Sequence, residues 1–211
     1  MKAALVTGGT VRLGKAIAEC LRADGWRVIT SSHRPDAGAD ILADLTAPGA
    51  AVRLYAEALR LNGGVPPDAL VNNAALFRGE AAAIRAVGLD APQKLTTLMA
   101  GREQGVGAVV NILDSRVLAP AAGAEDEYTR VKREGLEFTR RAAVMFAATL
   151  RVNAVAPGPV LAPVGVHERA GELLLSHRPS PADVAAAVGY LLAAAATTGA
   201  VIPVDGGQSL I

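Results

Sequence analysis

One cysteine in the whole chain, Cys20, excludes an internal disulfide and any cysteine-rich metal site. On an expected helix face it suits a small buried hydrophobe. Aromatics are scarce too, at 3% of residues, so the core must come from the Ala, Val, Leu and Ile that dominate the 51% apolar content. Neither sign of charge is in excess. A formal net charge of +1 gives no reason to expect nucleic acid or an anionic membrane as partner. Long hydrophobic runs are missing: the longest uncharged stretch, Val184 to Ala196, is too short and too alanine-rich to span a bilayer. The few apolar residues after Met1 and Lys2 are too few for a signal peptide. His167 and His177 have no spaced partners, so no metal is expected. These absences predict a soluble, cytoplasmic protein whose 211 residues form a single domain.

What is present is organised around the first fourteen residues. Ala3 to Val6 is a short apolar run that suits a strand buried on both faces. Thr7-Gly8-Gly9-Thr10 reads as a turn that lets a ligand approach the backbone. From Gly14 onward, Ile17, Ala18 and Leu21 share one helix face. A strand, a glycine turn and a helix N-terminus form a site for phosphate, since free N–H groups and the helix dipole both point at the ligand. The three glycines do not match the strict G-x-G-x-x-G spacing, and such turns also serve geometry alone.

Trp26 to Ser31 reads as a second strand, ending in Ser31-Ser32-His33-Arg34. In a dinucleotide fold this is where an acid holds the ribose of NAD, or Arg with small hydroxyls accepts the 2′-phosphate of NADP. The residues here favour NADP(H), the alternative being a polar loop before Pro35. Asp40 to Ala43 is a short strand candidate, with Asp44 and Leu45 after it. Pro48 to Leu61 is amphipathic through Val52, Leu54 and Leu59, and Asp68 to Val71 is another buried strand that runs into Asn72-Asn73-Ala74-Ala75-Leu76-Phe77. Residues 78 to 105, broken by Gly79, Gly88, Pro92 and Gly101, predict one or two short helices. Ala108 to Leu113 is the next strand, ending at Asp114 and Ser115. A helix begins near Tyr128, Ala182 to Ala196 is another, and Gly199 to Val204 is the last strand. This alternation predicts an α/β fold, a doubly wound, Rossmann-type parallel sheet of about seven strands, with ligands at the strands' carboxyl ends.

Tyr128 and Lys132 are four apart and so share a helix face. A phenol is a poor acid at neutral pH, and an ammonium within reach is expected to lower its pKa. Asp114 or Ser115, at the end of the neighbouring strand, could hold the acceptor or join the proton relay. A solvated helix face would show the same spacing.

Taken in order, Thr7-Gly-Gly-x-x-x-x-Gly14, Asp44-Leu45, Asn72-Asn73-Ala74, Val110-Asn-Ile112, Tyr128-x-x-x-Lys132, Arg151-Val-Asn-Ala-Val-Ala-Pro157-Gly158 and Asp205-Gly-Gly207 resemble the short-chain dehydrogenase/reductase family. The resemblance covers essentially the whole chain. It implies that Asp44 contacts the adenine, that Asn72 and Ala74 line the cofactor, and that Lys132 holds the nicotinamide ribose while assisting Tyr128. Gly8, Thr10, Arg12, Leu13, Leu45, Pro157, Gly158 and Val160 complete the implied cofactor contacts, with Ser31, Ser32, His33 and Arg34.

Within the family the chain resembles pteridine reductases and their bacterial dihydropterin-reducing relatives. Arg12 stands in the glycine turn, His33-Arg34 follows the second strand, Phe77 falls where an aromatic stacks on the pterin, and Asp114 replaces the usual serine. A flat ring could stack on Phe77, Arg12 could bind a phosphate or a ring carbonyl, and Asp114 could hydrogen-bond ring nitrogens. Packing, a solvated loop and a strand-end turn are the plain alternatives for the three. Counting thirteen residues back from Tyr128 gives Ser115 rather than Asp114 for the catalytic position, and the strand alignment favours Asp114. The family's helix-four asparagine falls at Gly88, and Ala75 and Val131 also depart from its motifs. The substrate loop, about residues 158–180, is short, with a helix expected from Glu168 to Ser176.

The reading that results is an NADPH-dependent reductase of a dihydropterin-like C=N bond, acting on a small molecule as a homodimer or homotetramer. A reductase of small ketones and an NADP(H) sensor with little catalysis are its alternatives.

Overall fold

Strands β1 (Ala3–Thr7), β2 (Arg27–Ser32), β3 (Ile41–Leu42), β4 (Ala69–Asn72), β5 (Gly107–Ile112), β6 (Leu150–Pro157) and β7 (Val201–Val204) form one seven-stranded sheet in the order β3-β2-β1-β4-β5-β6-β7. The computed structural model describes residues 1–103, 105–119, 124–161 and 173–211. All six pairings are parallel. The chain winds outward from β1 through β2 to β3, then returns to β4 on the other side of β1. That reversal opens a crevice beyond the carboxyl ends of β1 and β4, where a doubly wound sheet receives its ligand.

Alternation along the strands splits the core in two. Leu5 of β1 packs with Leu54, Leu95, Met99 and Leu150 on one side of the sheet, while Ala4 and Val6 pack with Ile17, Leu21, Val188 and Leu191 on the other. The helices supplying these faces are α1 (Arg12–Ala23), α2 (Ala50–Leu61), α3 (Ala81–Arg85), α4 (Ala91–Ala100), α5 (Glu127–Met145) and α6 (Pro181–Ala193). Strands buried on both faces need near-continuous apolar sequence, which is why their short runs were readable.

Three expectations change. Val52 is not on the packed face of α2: it is exposed, and Ala50, Ala51, Leu54, Tyr55 and Ala58 are buried instead. Three in-phase aliphatics left the small residues and Tyr55 uncounted. Residues 81–100 are not separate helices, because a π-helical turn at Ala86–Asp90 joins α3 to α4. Pro92 follows that π turn, at the start of α4. Gly88 lies in the π turn against α5, where a Cβ would come within 2.7 Å of the Val131 Cγ1 atom. A larger residue at that position would push the two elements apart. Of the helix expected from Glu168 to Ser176, residues 173–176 have no helical structure. Residues 168–172 and His167 lie outside the described residues. Among the described residues, no helix is long and apolar enough to cross a membrane.

Candidate active site

A cleft of about 950 Å³ opens at the carboxyl ends of the strands. One end is built by the turn after β1. Gly8 takes φ +62°, and Thr7 Oγ1 accepts from the backbone N–H groups of Asn73 and Ala74, each at 3.0 Å. Asn73 Nδ2 donates to the carbonyls of Thr7 and Gly8 at 2.9 and 3.1 Å, which pins the end of β4 to the turn. Gly14 fits beneath this arch, where a Cβ would lie 2.0 Å from the Gly8 carbonyl oxygen and 2.5 Å from Asn73 Nδ2. We expect Gly14→Ala to cost about 3 kcal/mol or more, since a backbone atom cannot give way as a core side chain can. A thermal melt checks it, and a Tm within a degree of wild type would show that the turn relaxes.

The start of α1 faces the same cleft. Val11 at its N-cap offers no side-chain cap, whereas Asp126 caps α5 and Ser180 forms a capping box on α6. The buried Thr10 hydroxyl has no hydrogen-bond partner among the described residues. Uncapped N–H groups with a spare hydroxyl suit an anionic group. Arg12 opens the helix at φ +50°, an uncommon conformation for a residue with a Cβ.

Beside the turn, Ser31 and Ser32 are buried at the end of β2, and the Arg34 N–H donates to Ser32 Oγ at 3.0 Å. The exposed Arg34 guanidinium pairs with Asp36 at 3.2 Å, a contact solvent makes weak. Asp44 accepts from the Thr46 hydroxyl and N–H, hydrogen bonds that hold its carboxyl below the ordinary range. His33, Leu45, Leu13, Ala74, Pro157, Gly158 and Val160 also line the cleft.

Asn72 does not. Its side chain points into the protein, where Nδ2 donates to Asn111 Oδ1 at 2.8 Å, and Asn111 in turn donates to Thr139 at 2.9 Å. The physical reason is strand alternation: Asn72 ends β4 facing the helices, so Asn73 and Ala74 form the wall expected of Asn72.

At the other end the Phe77 and Tyr128 rings meet edge to face, with centroids 5.0 Å apart. Lys132 is 4% exposed; its Nζ donates to the Ile112 carbonyl at 2.6 Å and lies 5.6 Å from the Tyr128 ring centroid. Burial lowers its pKa to about 8, against the opposing pull of Asp114. For Tyr128 the expected direction is reversed. Burial, followed by the charge of Asp114, pushes the phenol well above its ordinary value, and the Arg116 guanidinium only partly opposes them. Lys132 points its ammonium at a carbonyl, so the nearby charge that decides is negative. A protonated phenol suits proton donation.

Asp114 and Ser115 part company. Ser115 is buried and its hydroxyl donates to Gln208 Oε1 at 3.5 Å, while the Asp114 carboxylate lies beside Tyr128. Asp114 is not free, however. Arg116 Nε and Nη2 hold its two oxygens at 3.1 and 3.2 Å, and the Arg116 N–H donates to it at 3.0 Å. The Arg116 Cζ stands 5.3 Å from the Tyr128 centroid and 5.8 Å from that of Phe77, and Arg78 Cζ is also 5.8 Å from Phe77. Neither arginine was foreseen. The only local signal was Asp114 two residues ahead of Arg116, a pattern common in strand-end turns.

The family model for Enoyl-(Acyl carrier protein) reductase matches residues 11–209. A Streptomyces violaceoruber protein described as ketoacyl reductase 2 of the granaticin polyketide synthase is 33% identical, over 99% of this chain and 96% of its own. Pteridine reductase 1 of Leishmania tarentolae is 30% identical, over 98% of this chain and 96% of its own. Among solved structures, FolM alternative dihydrofolate reductase 1 of Brucella canis, complexed with NADP, superposes with a TM-score of 0.84 at 31% identity, covering 100% of this chain and 95% of that one.

Proposed function

The chain belongs to the short-chain dehydrogenase/reductase family, and from that premise we propose that this oxidoreductase uses NADPH to reduce a flat, dihydropterin-like C=N acceptor. The residues present fit the cofactor. The uncapped start of α1, the unpartnered Thr10 hydroxyl and the space kept by Gly14 suit its diphosphate, with Gly8, Arg12 and Leu13 around it. Ser31, Ser32, His33 and Arg34 take the 2′-phosphate. Asp44 and Leu45 receive the adenine, and Ala74, Pro157, Gly158 and Val160 guide the remainder toward Tyr128 and Lys132. Bound there, the nicotinamide supplies a hydride.

The chain's own residues do the rest. Tyr128 donates a proton to the acceptor nitrogen, Lys132 steadies the phenolate left behind and holds the ribose, and Asp114 orients the ring. The observation that carries the acceptor class is the Phe77–Tyr128 aromatic pair with the Asp114 carboxylate beside the phenol. The test is NADPH oxidation with dihydrobiopterin, run beside NADH and a simple diketone. Turnover of the dihydropterin with NADPH supports the reading; turnover of the diketone alone sinks it. The likeness to a ketoacyl reductase favours a second reading, reduction of a small ketone. On that reading Phe77→Ala leaves activity intact, whereas pterin reduction falls by about tenfold or more when the stacking partner is lost.

Cofactor choice has its own check. Arg34→Ala weakens NADPH binding by about tenfold or more, the scale of one hydrogen bond to a charged group, and leaves NADH within about twofold. Fluorescence titration reads both, and equal losses would remove Arg34 from the 2′-phosphate. As part of the same proposal, residues 1–211 act as a single cytoplasmic domain, associated into a homodimer or homotetramer through α5, with light scattering to count the subunits.

A further inference from the structure

Phe77 is 45% exposed at the cleft, and two guanidiniums flank its ring, Arg78 and Arg116, each with Cζ 5.8 Å from the centroid. Both arginines line the cleft on the Tyr128 side, away from the Ser31–Arg34 corner. Among the described residues, this end of the cleft wall carries three cations, Arg78, Arg116 and Lys132, and the carboxylate of Asp114. A neutral flat ring is served by Phe77 for stacking, and brings no counter-charge to Arg78 or to Arg116, whose partner in the cleft wall is Asp114. Guanidinium forks that bracket an aromatic platform match a planar ring with a carboxylate or phosphate on its rim.

Resting on the reductase reading above, we propose that Arg78 and Arg116 recognise an anionic substituent, and that the acceptor is a flat ring bearing a carboxylate or a phosphate. Arg116 is also a positioning residue. It occupies both oxygens of Asp114, with Asp126 a further 3.9 Å from its Nη1. An anion that draws Arg116 toward itself releases Asp114 to the ring's donors, so the substituent readies the group that orients the reacting end. A ring without the anion meets an Asp114 that is still engaged.

The test is calorimetric titration of the NADP⁺-loaded protein at low salt with matched probes. Pterin-6-carboxylate against 6-hydroxymethylpterin reads a carboxylate, neopterin 3′-phosphate against neopterin reads a phosphate, and 4-acetylbenzoate against 4-acetylbenzamide reads the charge on a ring that is not a pterin. The expected result is at least one anionic probe bound tenfold or more tighter than its neutral partner, with that ratio falling below threefold in Arg116→Gln and in Arg78→Gln. Tighter binding of the acetylbenzoate with no pterin bound would keep this inference and overturn the pterin reading. Equal affinities within every pair that binds, or a preference that survives both substitutions, would overturn the inference, and the pterin reading stands in that case as long as a pterin pair binds. Failure of all six probes to bind would overturn both.

Discussion

Replacing Tyr128 by Phe lowers kcat by about 10²- to 10⁴-fold, the range that a single general acid contributes, while the Kd for NADPH stays within about threefold. The ring survives the change, so its edge-to-face contact with Phe77 and the shape of the cleft survive with it. Only the proton is lost. Because burial and Asp114 keep the phenol protonated, wild-type turnover has no limb set by Tyr128 anywhere near neutral pH. Rapid-mixing kinetics beside a fluorescence titration separate the two quantities. A Tyr128→Phe enzyme that retains a tenth of wild-type kcat would mean that another group delivers the proton.

Lys132→Met is expected to move activity and stability in opposite directions. The ammonium is 4% exposed and its pKa is depressed to about 8 by burial. In the unfolded chain the lysine keeps its ordinary value, so between about pH 8 and 10.4 the unfolded state binds more protons than the folded one. Wild-type stability therefore rises with pH through that window, and below pH 8 the buried charge costs folding about 3 kcal/mol. Methionine removes that cost but also the 2.6 Å hydrogen bond to Ile112. The net expectation at pH 7 is a gain of about 1–2 kcal/mol, a Tm higher by about 3–6 °C, which fades as pH rises above 8. Turnover meanwhile drops by about 10²-fold or more, since nothing then stabilises the phenolate. The same pKa predicts that wild-type kcat/KM declines above about pH 8. Melts at pH 7 and pH 10 decide it: a lower Tm for the variant at pH 7 would mean that the hydrogen bond outweighs the buried charge.

Much of this was legible in the chain itself, for an identifiable reason. Strands β1, β2, β4, β5 and β6 are buried on both faces, so their apolar runs stand out, and the glycine turn, Asn72-Asn73-Ala74 and Tyr128-x-x-x-Lys132 are local patterns whose order alone points to the family. The start of α6 falls one residue before the expected Ala182, where Ser180 caps the helix and Pro181 opens it. Residues 81–100 were less legible, because Gly88 and Pro92 read as breaks, whereas the helix runs on through both by way of a π turn.

The sequence alone determined the order of the elements, the parallel sheet, the family and the candidates for cofactor contact, all of which depend on neighbours within a few positions. Tertiary structure decided which way side chains face and which charges stand nearest. Asn72 turns inward because β4 ends on that phase of the pleat. The Tyr128 phenol rises rather than falls because it is buried and the Asp114 charge adds to that burial, while Lys132 is spent on a carbonyl. Arg78 and Arg116 both reach the Phe77 ring because β4 and β5 lie side by side and end level at the cleft, with Asn72 paired to Asn111. Distances between residues far apart in the chain are set by strand register and helix packing, and the energy of a charge in that setting depends on those distances.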